Sequence, residues 1–285
     1  METSLENTTT VEHAADIAAG RRFAFGKNWR SFSQSLADRQ VHQAEHALQE
    51  MLGQNSLAGK RFLDVGSGSG LSSLAAHRLG AVVHSFDYDP EAVGCTRELK
   101  ASHGGESGLR WEVEHGSALD TDYLASLGQF DVVYSWGVLH HTGDMWAALA
   151  NVSSLVAPGG KLFVSIYNDQ GASSDRWRRV KAVYNRAAPT SRSVLAVLSA
   201  AMLYWRPFLK GALRAKPLQF IRDYEGNGRG MLFWNDLIDW VGGYPFEVAT
   251  REQISDFYQR RGFVLTRLHA CDDTLGCNQF VFHKR

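Results

Sequence analysis

The 285-residue chain has only three cysteines, Cys95, Cys271 and Cys277, and their spacing suits neither a disulfide framework nor a metal centre. No metal is therefore expected, and a reducing, cytoplasmic compartment fits. The first twenty residues carry Glu2, Glu6, Glu12 and Asp16 but no lysine or arginine. A secretory leader needs the reverse, a basic start and an apolar stretch, so none is expected. No uncharged apolar run is long enough to span a bilayer. Net charge is missing as well, because thirty basic and thirty acidic side chains cancel. That balance removes any whole-chain attraction to nucleic acid. What is present is the composition of an ordinary globular protein, 44% apolar and 21% charged. The length suits one large α/β domain with a sizeable insertion.

From residue 61 onward short apolar runs alternate with helix-period segments. "RFLDV" (61–65), "AVVHSFD" (81–87), "LRWEVEH" (109–115), "FDVVYSW" (130–136) and "KLFVSIY" (161–167) are predicted strands. Helices are predicted at about 70–79, 90–101, 120–127 and 144–156, with Asp89 before Pro90 as a helix start and "APGG" (157–160) as a helix end. This alternation implies a doubly wound α/β fold, a mostly parallel sheet covered by helices on both faces. Ligands of such sheets sit beyond the carboxyl ends of the strands. The end of the chain breaks the rhythm. After a helix at 250–261, "GFVLTRLHA" (262–270) and "CNQFVFHKR" (277–285) are joined by six residues only, too few for a parallel crossover. The sheet is therefore expected to finish in an antiparallel hairpin.

"LDVGSGSG" (63–70) joins the first strand to its helix through Gly66, Gly68 and Gly70. Glycine lets the backbone turn tightly and approach a ligand whose charge faces helix-end amides. A dinucleotide-binding loop would carry glycine at position 71, where Leu71 stands. That disfavours an NAD-linked oxidoreductase. Asp87 closes the second strand 21 residues beyond Gly66, where a carboxylate can accept both ribose hydroxyls of a nucleoside.

On these residues the chain resembles the class I S-adenosylmethionine (SAM) dependent methyltransferases, and within them the ubiquinone-methylase-like subgroup. "FLDVGSGSG", "HSFDYDP", "HGSALD", "FDVVYSWGVLHHTGD" and "PGGKLFVSIYN" are similar to the family's five motifs in order, and the terminal hairpin to its reversed last strand. The resemblance implies a Rossmann-like methyltransferase fold of seven strands and SAM as cofactor. It implies Asp64, Gly66, Ser67 and Gly68 against the methionine part, Asp87 on the ribose and Tyr88 beside the adenine. Ser117 and Ala118 would line the adenine edge, and Ser135 and Trp136 would face the sulfonium. Core packing is the alternative for Tyr88 and Trp136.

The adjacent pair His140 and His141 has three readings. Metal binding needs three or four converging ligands, and neighbours on a strand point to opposite faces, so no metal site is expected. A structural role, one imidazole bonded to a nearby carbonyl, stands beside proton transfer from the acceptor. His140 is the candidate catalytic base and His141 an acceptor-side residue. A second pattern, "HQAEH" (42–46), fits H-x-x-E-H, the inverted zinc-peptidase motif. Val41, Ala44, Leu48, Met51 and Leu52 form an apolar helical stripe there, which leaves His42 and His46 on the wet face.

Substrate choice is expected to lie outside the sheet. Residues 1–56 read as an N-terminal lid and helix, 57–170 as the SAM-binding core, 171–249 as a helical cap insertion, and 250–285 as the last helix and hairpin. "RRFAFGKNWRSF" (21–32), with Trp29, is the candidate lid segment, or a helix that packs on the core. Between 175 and 216 ten basic residues stand against one acid, Asp175. Such a cap can gather an anionic or lipid-linked acceptor or rest on a membrane, or be a solvated arm. Tyr167 and Asn168 are further candidate acceptor contacts, as are Asp239, Tyr244, Glu247 and Asn278 in the segments "DWVGGYPFEVAT" (239–250) and "DDTLGCN" (272–278), with turn chemistry the alternative for these four. Nucleic acid is not expected as acceptor, since "SWGV" stands where base-directed relatives carry their N/D/S-P-P-Y/F tetrad. The reading is a methyltransferase acting on a small-molecule or lipid-linked acceptor, at oxygen first. The alternatives are N- or C-methylation and a non-catalytic SAM-binding, membrane-associated regulator. Oligomeric state stays open.

Overall fold

The computed structural model describes residues 2–33, 36–103, 108–214, 216, 218–227, 233–272 and 276–285, without the side chains of 2–9 and 225–227. Seven strands form one sheet in the order β3-β2-β1-β4-β5-β7-β6. They are β1 (Arg61–Val65), β2 (Val82–Asp87), β3 (Trp111–His115), β4 (Phe130–Trp136), β5 (Val156–Tyr167), β6 (Phe263–His269) and β7 (Cys277–Lys284). The first five pair in parallel, and β7 runs antiparallel to both β5 and β6. The predicted hairpin is thus present, although residues 273–275 of its link lie outside the described residues.

Period-two patterning explains why this sheet is buried on both faces. Along β4, Val132 and Tyr134 join one apolar layer and Val133 the other; along β7, Val281 joins the first and Phe280 and Phe282 the second. Helices α3 (Asp38–Leu52) and α4 (Leu71–Arg78) supply the first layer through Val41, Leu48, Leu74 and Ala75. Helices α6 (Thr121–Leu127), α7 (Met145–Ser154) and α12 (Arg251–Gln259) supply the second through Leu124, Leu149 and Ile254. In α3 His42 and His46 are exposed, the surface placement its apolar stripe requires.

Three local expectations are corrected. "APGG" does not end a helix in a turn: β5 already begins at Val156, paired with Phe130, and runs through Gly159 in the left-handed region at φ 74°. His140 and His141 lie in a one-turn 3-10 helix, Leu139–His141, and not on a strand. Their rings sit 4.4 Å apart in place of opposing one another. Finally, Asp239 belongs to a helix, α11 (Phe233–Gly242), so the loop before α12 begins only at Gly243.

Outside the sheet, the N-terminal segment holds α1 (Glu2–Ala18) and α2 (Phe25–Ser33), followed by α3. The insertion is helical: α8 (Ala172–Arg186), α9 (Pro189–Ala212), α10 (Gln219–Asn227) and α11. It has its own apolar centre of Tyr184, Ala196, Phe233, Leu237 and Val241, to which the N-terminal Phe23 contributes. The remaining helix of the core, α5 (Pro90–His103), starts where Asp89 accepts the Glu91 amide at 2.9 Å.

Candidate functional site

At the carboxyl ends of β1, β2 and β4 the chain encloses a cavity of about 440 Å³. The glycine loop forms one wall because its backbone is left-handed three times, with φ of 77° at Gly66, 56° at Gly68 and 81° at Gly70. At all three positions an added side chain would crowd a neighbour, Thr96 at 3.0 Å in the case of Gly70. A Cβ on Gly66 would lie 2.4 Å from Val138, and one on Gly68 would lie 3.0 Å from the Trp29 indole. The Trp29 contact shows what α2 does: it lies across the loop. Its Gly26 amide donates to Asp89 at 2.7 Å, and its Asn28 side chain donates to the Asn235 carbonyl and to Asp239, both at 2.8 Å. The segment is thereby tied to the core on one side and to α11 on the other.

Two carboxylates stand beside the loop. Asp87 accepts the Gly68 and Asp89 amides, each at 2.9 Å, yet burial pushes its pKa up to about 6. Asp64 accepts the Ser73 hydroxyl at 2.5 Å, which lowers its pKa, but desolvation dominates and lifts it to about 7. Both are therefore poised to change charge near neutrality. Tyr88 is fixed by surrounding rings and charge. The His13 ring meets it edge-on at 5.3 Å, His115 stacks at 6.2 Å, and the Arg22 guanidinium lies 4.8 Å from its centroid.

The far end of the cavity is apolar and aromatic, formed by Ala44, Leu48 and Met51 of α3 with Tyr134, Trp136 and Phe163. His141, Tyr167, Asp239, Trp240 and Cys277 also line the cavity. His141 Nδ1 lies 2.5 Å from the Pro245 carbonyl, which only accepts, so this nitrogen carries the proton and Nε2 has the lone pair. Burial pushes the His141 pKa down to about 3. Among the described residues no group of three or more His, Cys, Asp or Glu is arranged to hold a metal.

The cavity brings together Asp64, Gly66, Ser67, Gly68, Asp87, Tyr88, Ser117, Ala118 and Trp136 with Trp29, His141 and Tyr167. Six sequence-predicted residues are not among those lining it, for physical reasons. Ser135 is fully buried and donates to the Val65 carbonyl at 3.0 Å. His140 is fully buried too; its Nδ1 accepts the Tyr167 amide at 3.4 Å, and burial together with nearby His141 and Lys181 holds it neutral. Glu247 accepts the amides of Gly143 and Met145 at 3.2 and 3.0 Å and so fixes the start of α7. Asn168 and Asn278 bond each other at 3.0 Å, and the Asn278 side chain accepts the Cys271 amide, closing the hairpin. The Tyr244 carbonyl accepts the Phe23 amide at 2.9 Å.

His13 and Arg22 line the cavity without having been predicted individually. Arg22 donates to the carbonyls of His141 and Thr142 at 2.9 and 3.3 Å, while its buried Nε has no hydrogen-bond partner among the described residues. The only sequence signal was the basic, aromatic character of 21–32. His13 carried none.

Comparison with known proteins places this geometry. A methyltransferase-domain family model matches residues 36–205. A protein named ubiquinone biosynthesis O-methyltransferase from Xanthomonas oryzae pv. oryzae (strain PXO99A) is 33% identical over 177 residues, 62% of this chain and 68% of that protein. Its namesake from Xanthomonas euvesicatoria pv. vesicatoria (strain 85-10) is 34% identical over 156 residues, 55% of this chain and 59% of that one. Among solved structures, magnesium protoporphyrin IX methyltransferase from Synechocystis PCC 6803, with bound S-adenosylhomocysteine (SAH), superposes with a TM-score of 0.54. The pair shares 13% identity over 91% of this chain and 94% of that one, a likeness of fold.

Proposed function

This chain belongs to the methyltransferase-domain family, and on that premise we propose that it moves the methyl group of SAM to a hydroxyl oxygen of a small-molecule acceptor. The observation that carries the reading is the single cavity, which runs from the glycine loop and Asp87 to an apolar, aromatic end. The names of the relatives support oxygen as the receiving atom. The chain spans 59% of one of them and 68% of the other, so the acceptor they act on enters only as a guide to class.

In this reading the glycine loop at Gly66, Ser67 and Gly68 and the Asp64 carboxylate would hold the methionine end of SAM. Asp87 accepts the ribose hydroxyls, while Tyr88, Ser117 and Ala118 frame the adenine. SAM supplies an electrophilic methyl on a sulfonium, beside Trp136. The chain contributes chiefly position, since an in-line displacement gains most from holding two reactants in contact without water. Trp29 and Arg22 close the entrance. His141 Nε2 accepts the acceptor hydroxyl's hydrogen bond and orients it. A base as weak as His141 does not strip that proton. His140, buried behind Tyr167, acts as a positioning group.

The cap suggests where the acceptor comes from. Along α9, Val194, Val197, Leu198, Met202, Trp205 and Phe208 repeat at three- and four-residue steps and are all exposed, Trp205 at 54%. Arg206 and Lys210 are exposed on the same helix. No helix among the described residues is long and apolar enough to cross a membrane. An exposed apolar stripe beside basic residues instead suits peripheral contact with an anionic bilayer and delivery of a lipid-linked or anionic acceptor.

Calorimetry with SAH, followed by methyl-labelled SAM and a panel of hydroxylated aromatic compounds, tests the reading. SAH binding with label transferred to oxygen is expected. Absence of SAH binding, or transfer to carbon or nitrogen alone, overturns it. Co-sedimentation with phosphatidylglycerol vesicles but not phosphatidylcholine vesicles is expected for the cap, and equal behaviour with both refutes that part.

A further inference from the structure

The floor of the acceptor end is laid down in rows across β4, β5 and β7. Tyr134, Phe163 and Val281 are register partners, and all three belong to the first apolar layer. Alternation along each strand puts the row two residues further on over the same face, and that row is Trp136, Ser165 and Gln279. Trp136 and Gln279 line the cavity from the two ends of the row, with Ser165 between them. Neighbouring strands lie about 4.8 Å apart, so the two ends are separated by about 10 Å. The row beyond, Tyr167 and Cys277, lines the cavity as well.

Gln279 is the only carboxamide among the described residues that line the cavity. It is half-buried, and its side chain makes no hydrogen bond to another described residue. Other polar groups at this end are engaged: the Ser72 hydroxyl donates to the Tyr134 hydroxyl at 3.1 Å, and Asp239 accepts the Asn28 amide at 2.8 Å. Ser165 repeats the anomaly in the middle of the row, fully buried with no partner for its Oγ among the described residues. A ring entering between α3 and this floor strips water from the Gln279 amide. Desolvation without a partner is unfavourable, whereas a paired amide fixes the orientation of what it holds.

Resting on the methyltransferase reading above, we propose that Gln279 selects the acceptor: its carboxamide hydrogen-bonds an oxygen substituent that lies across the aromatic ring from the hydroxyl to be methylated. In that reading the methyl donor stands beside Trp136, so the reacting hydroxyl belongs at that end of the row. The second oxygen then belongs at the Gln279 end. Two ortho oxygens share one edge of a ring and do not bridge opposite ends of the row, whereas meta or para groups do. The amide donates to a carbonyl and accepts from a hydroxyl, so either substituent fits. A hydrocarbon substituent leaves the amide unpaired.

The probes are 3-hydroxyacetophenone and 3-isopropylphenol, which match in shape and differ in the carbonyl, titrated calorimetrically into SAH-loaded protein. The ketone should bind roughly 5- to 100-fold more tightly, the range for an amide left unpaired on burial. Resorcinol should likewise outbind catechol. Gln279→Leu keeps the bulk and removes the amide, so it should weaken the ketone, spare the alkylphenol and leave SAH affinity unchanged. Gln279→Glu keeps the shape but only accepts when ionised, and should reverse the preference. A residue that merely supports the hairpin would shift both phenols alike. Equal binding of the two phenols by wild type, a ketone preference kept in either variant, or catechol binding at least as tightly as resorcinol overturns the proposal. So does failure of every phenol to bind SAH-loaded protein, and in that case SAH binding leaves the methyltransferase reading standing. Failure to bind SAH overturns that reading itself. The order of the phenols in wild type needs no variant and decides the matter if neither variant folds.

Discussion

Gly66→Ala separates two demands that the structure makes at one position. The first is conformational: φ is 77° here, a left-handed backbone that costs an L-residue about 1–2 kcal/mol. The second is steric. The added Cβ would lie 2.4 and 2.5 Å from the two methyl groups of Val138 and 2.9 Å from its Cβ, so the valine must move. Overpacking of this kind adds about 1–3 kcal/mol. The single substitution should therefore destabilise the protein by about 2–5 kcal/mol in urea-induced unfolding. Val138→Ala alone removes two half-buried methyl groups and should cost about 1–2 kcal/mol. In the double variant the two methyl contacts are gone, while the 2.9 Å contact with the Cβ of residue 138 and the backbone term remain. The double variant should then be about 1–3 kcal/mol more stable than the sum of the singles predicts. Strict additivity would refute the steric argument, and an unchanged stability in Gly66→Ala would refute both. SAH binding should stay impaired in the double variant, because relieving Val138 does not restore the amide directions of the loop.

Three further outcomes follow from named contacts. Asp64 has a folded-state pKa of about 7 against 3.8 for the free side chain, so its protonated form is favoured by folding. Its contribution to stability is present below about pH 4 and lost as pH rises toward 7, by on the order of 2–4 kcal/mol in the ligand-free protein. Asp64→Asn should accordingly melt higher than wild type at pH 8 and bind SAH more weakly; a lower melting temperature there would contradict the assignment. Trp29→Ala uncovers Gly68 and should weaken SAH about 5- to 30-fold by calorimetry, corresponding to about 1–2 kcal/mol of lost packing. An unaltered affinity would reduce α2 to a packing helix. Glu247→Ala leaves the amides at the start of α7 without their carboxylate and should cost about 1–3 kcal/mol in thermal unfolding with SAH affinity retained. Loss of SAH binding without loss of stability would instead place Glu247 in the binding site.

The sheet was legible because its patterning is redundant. Phe62 and Leu63, Val132 and Val133, and Phe280 and Val281 each divide between the two apolar layers, so any single strand predicts the same two-faced burial. Gly66, Gly68 and Asp87 were legible for a different reason, since their spacing along one strand-loop-helix-strand unit already limits where they can go. Predictions at single positions lacked that redundancy. A strand end at His140 would have sent the two imidazoles apart, but Gly137 takes a φ of 75° and the chain turns into a 3-10 helix, which puts both rings on one side. Asn278 and Glu247 were chosen as hydrogen-bonding residues on the right face of the sheet. Backbone amides left open by a hairpin and a helix start claimed them first, a competition that depends on neighbours far away in sequence.

Lys181 marks the boundary most sharply. Counted as charge, it was one of ten basic residues in an arm that could have been wholly solvated. Counted by position, it lies on a stripe with Trp177, Tyr184 and Asn185, spaced four, seven and eight residues from Trp177, and all four are buried. A lysine at an inward position of an amphipathic helix conflicts with the pattern around it. Such conflicts are expected where function has overridden packing. The charge of the cap therefore divides into two parts with different physics. Exposed groups such as Arg206 and Lys210 act over nanometres and should fade with salt. The buried amine of Lys181, enclosed by Trp240, Phe246 and Tyr167, is shielded from solvent, and salt should leave it untouched. An acceptor KM that rises with ionic strength while the melting temperature stays fixed would assign steering to the first group and leave the second a role inside the fold. If salt displaced both together, the two roles would have to belong to the same exposed charges, and the distinction drawn from burial would be wrong.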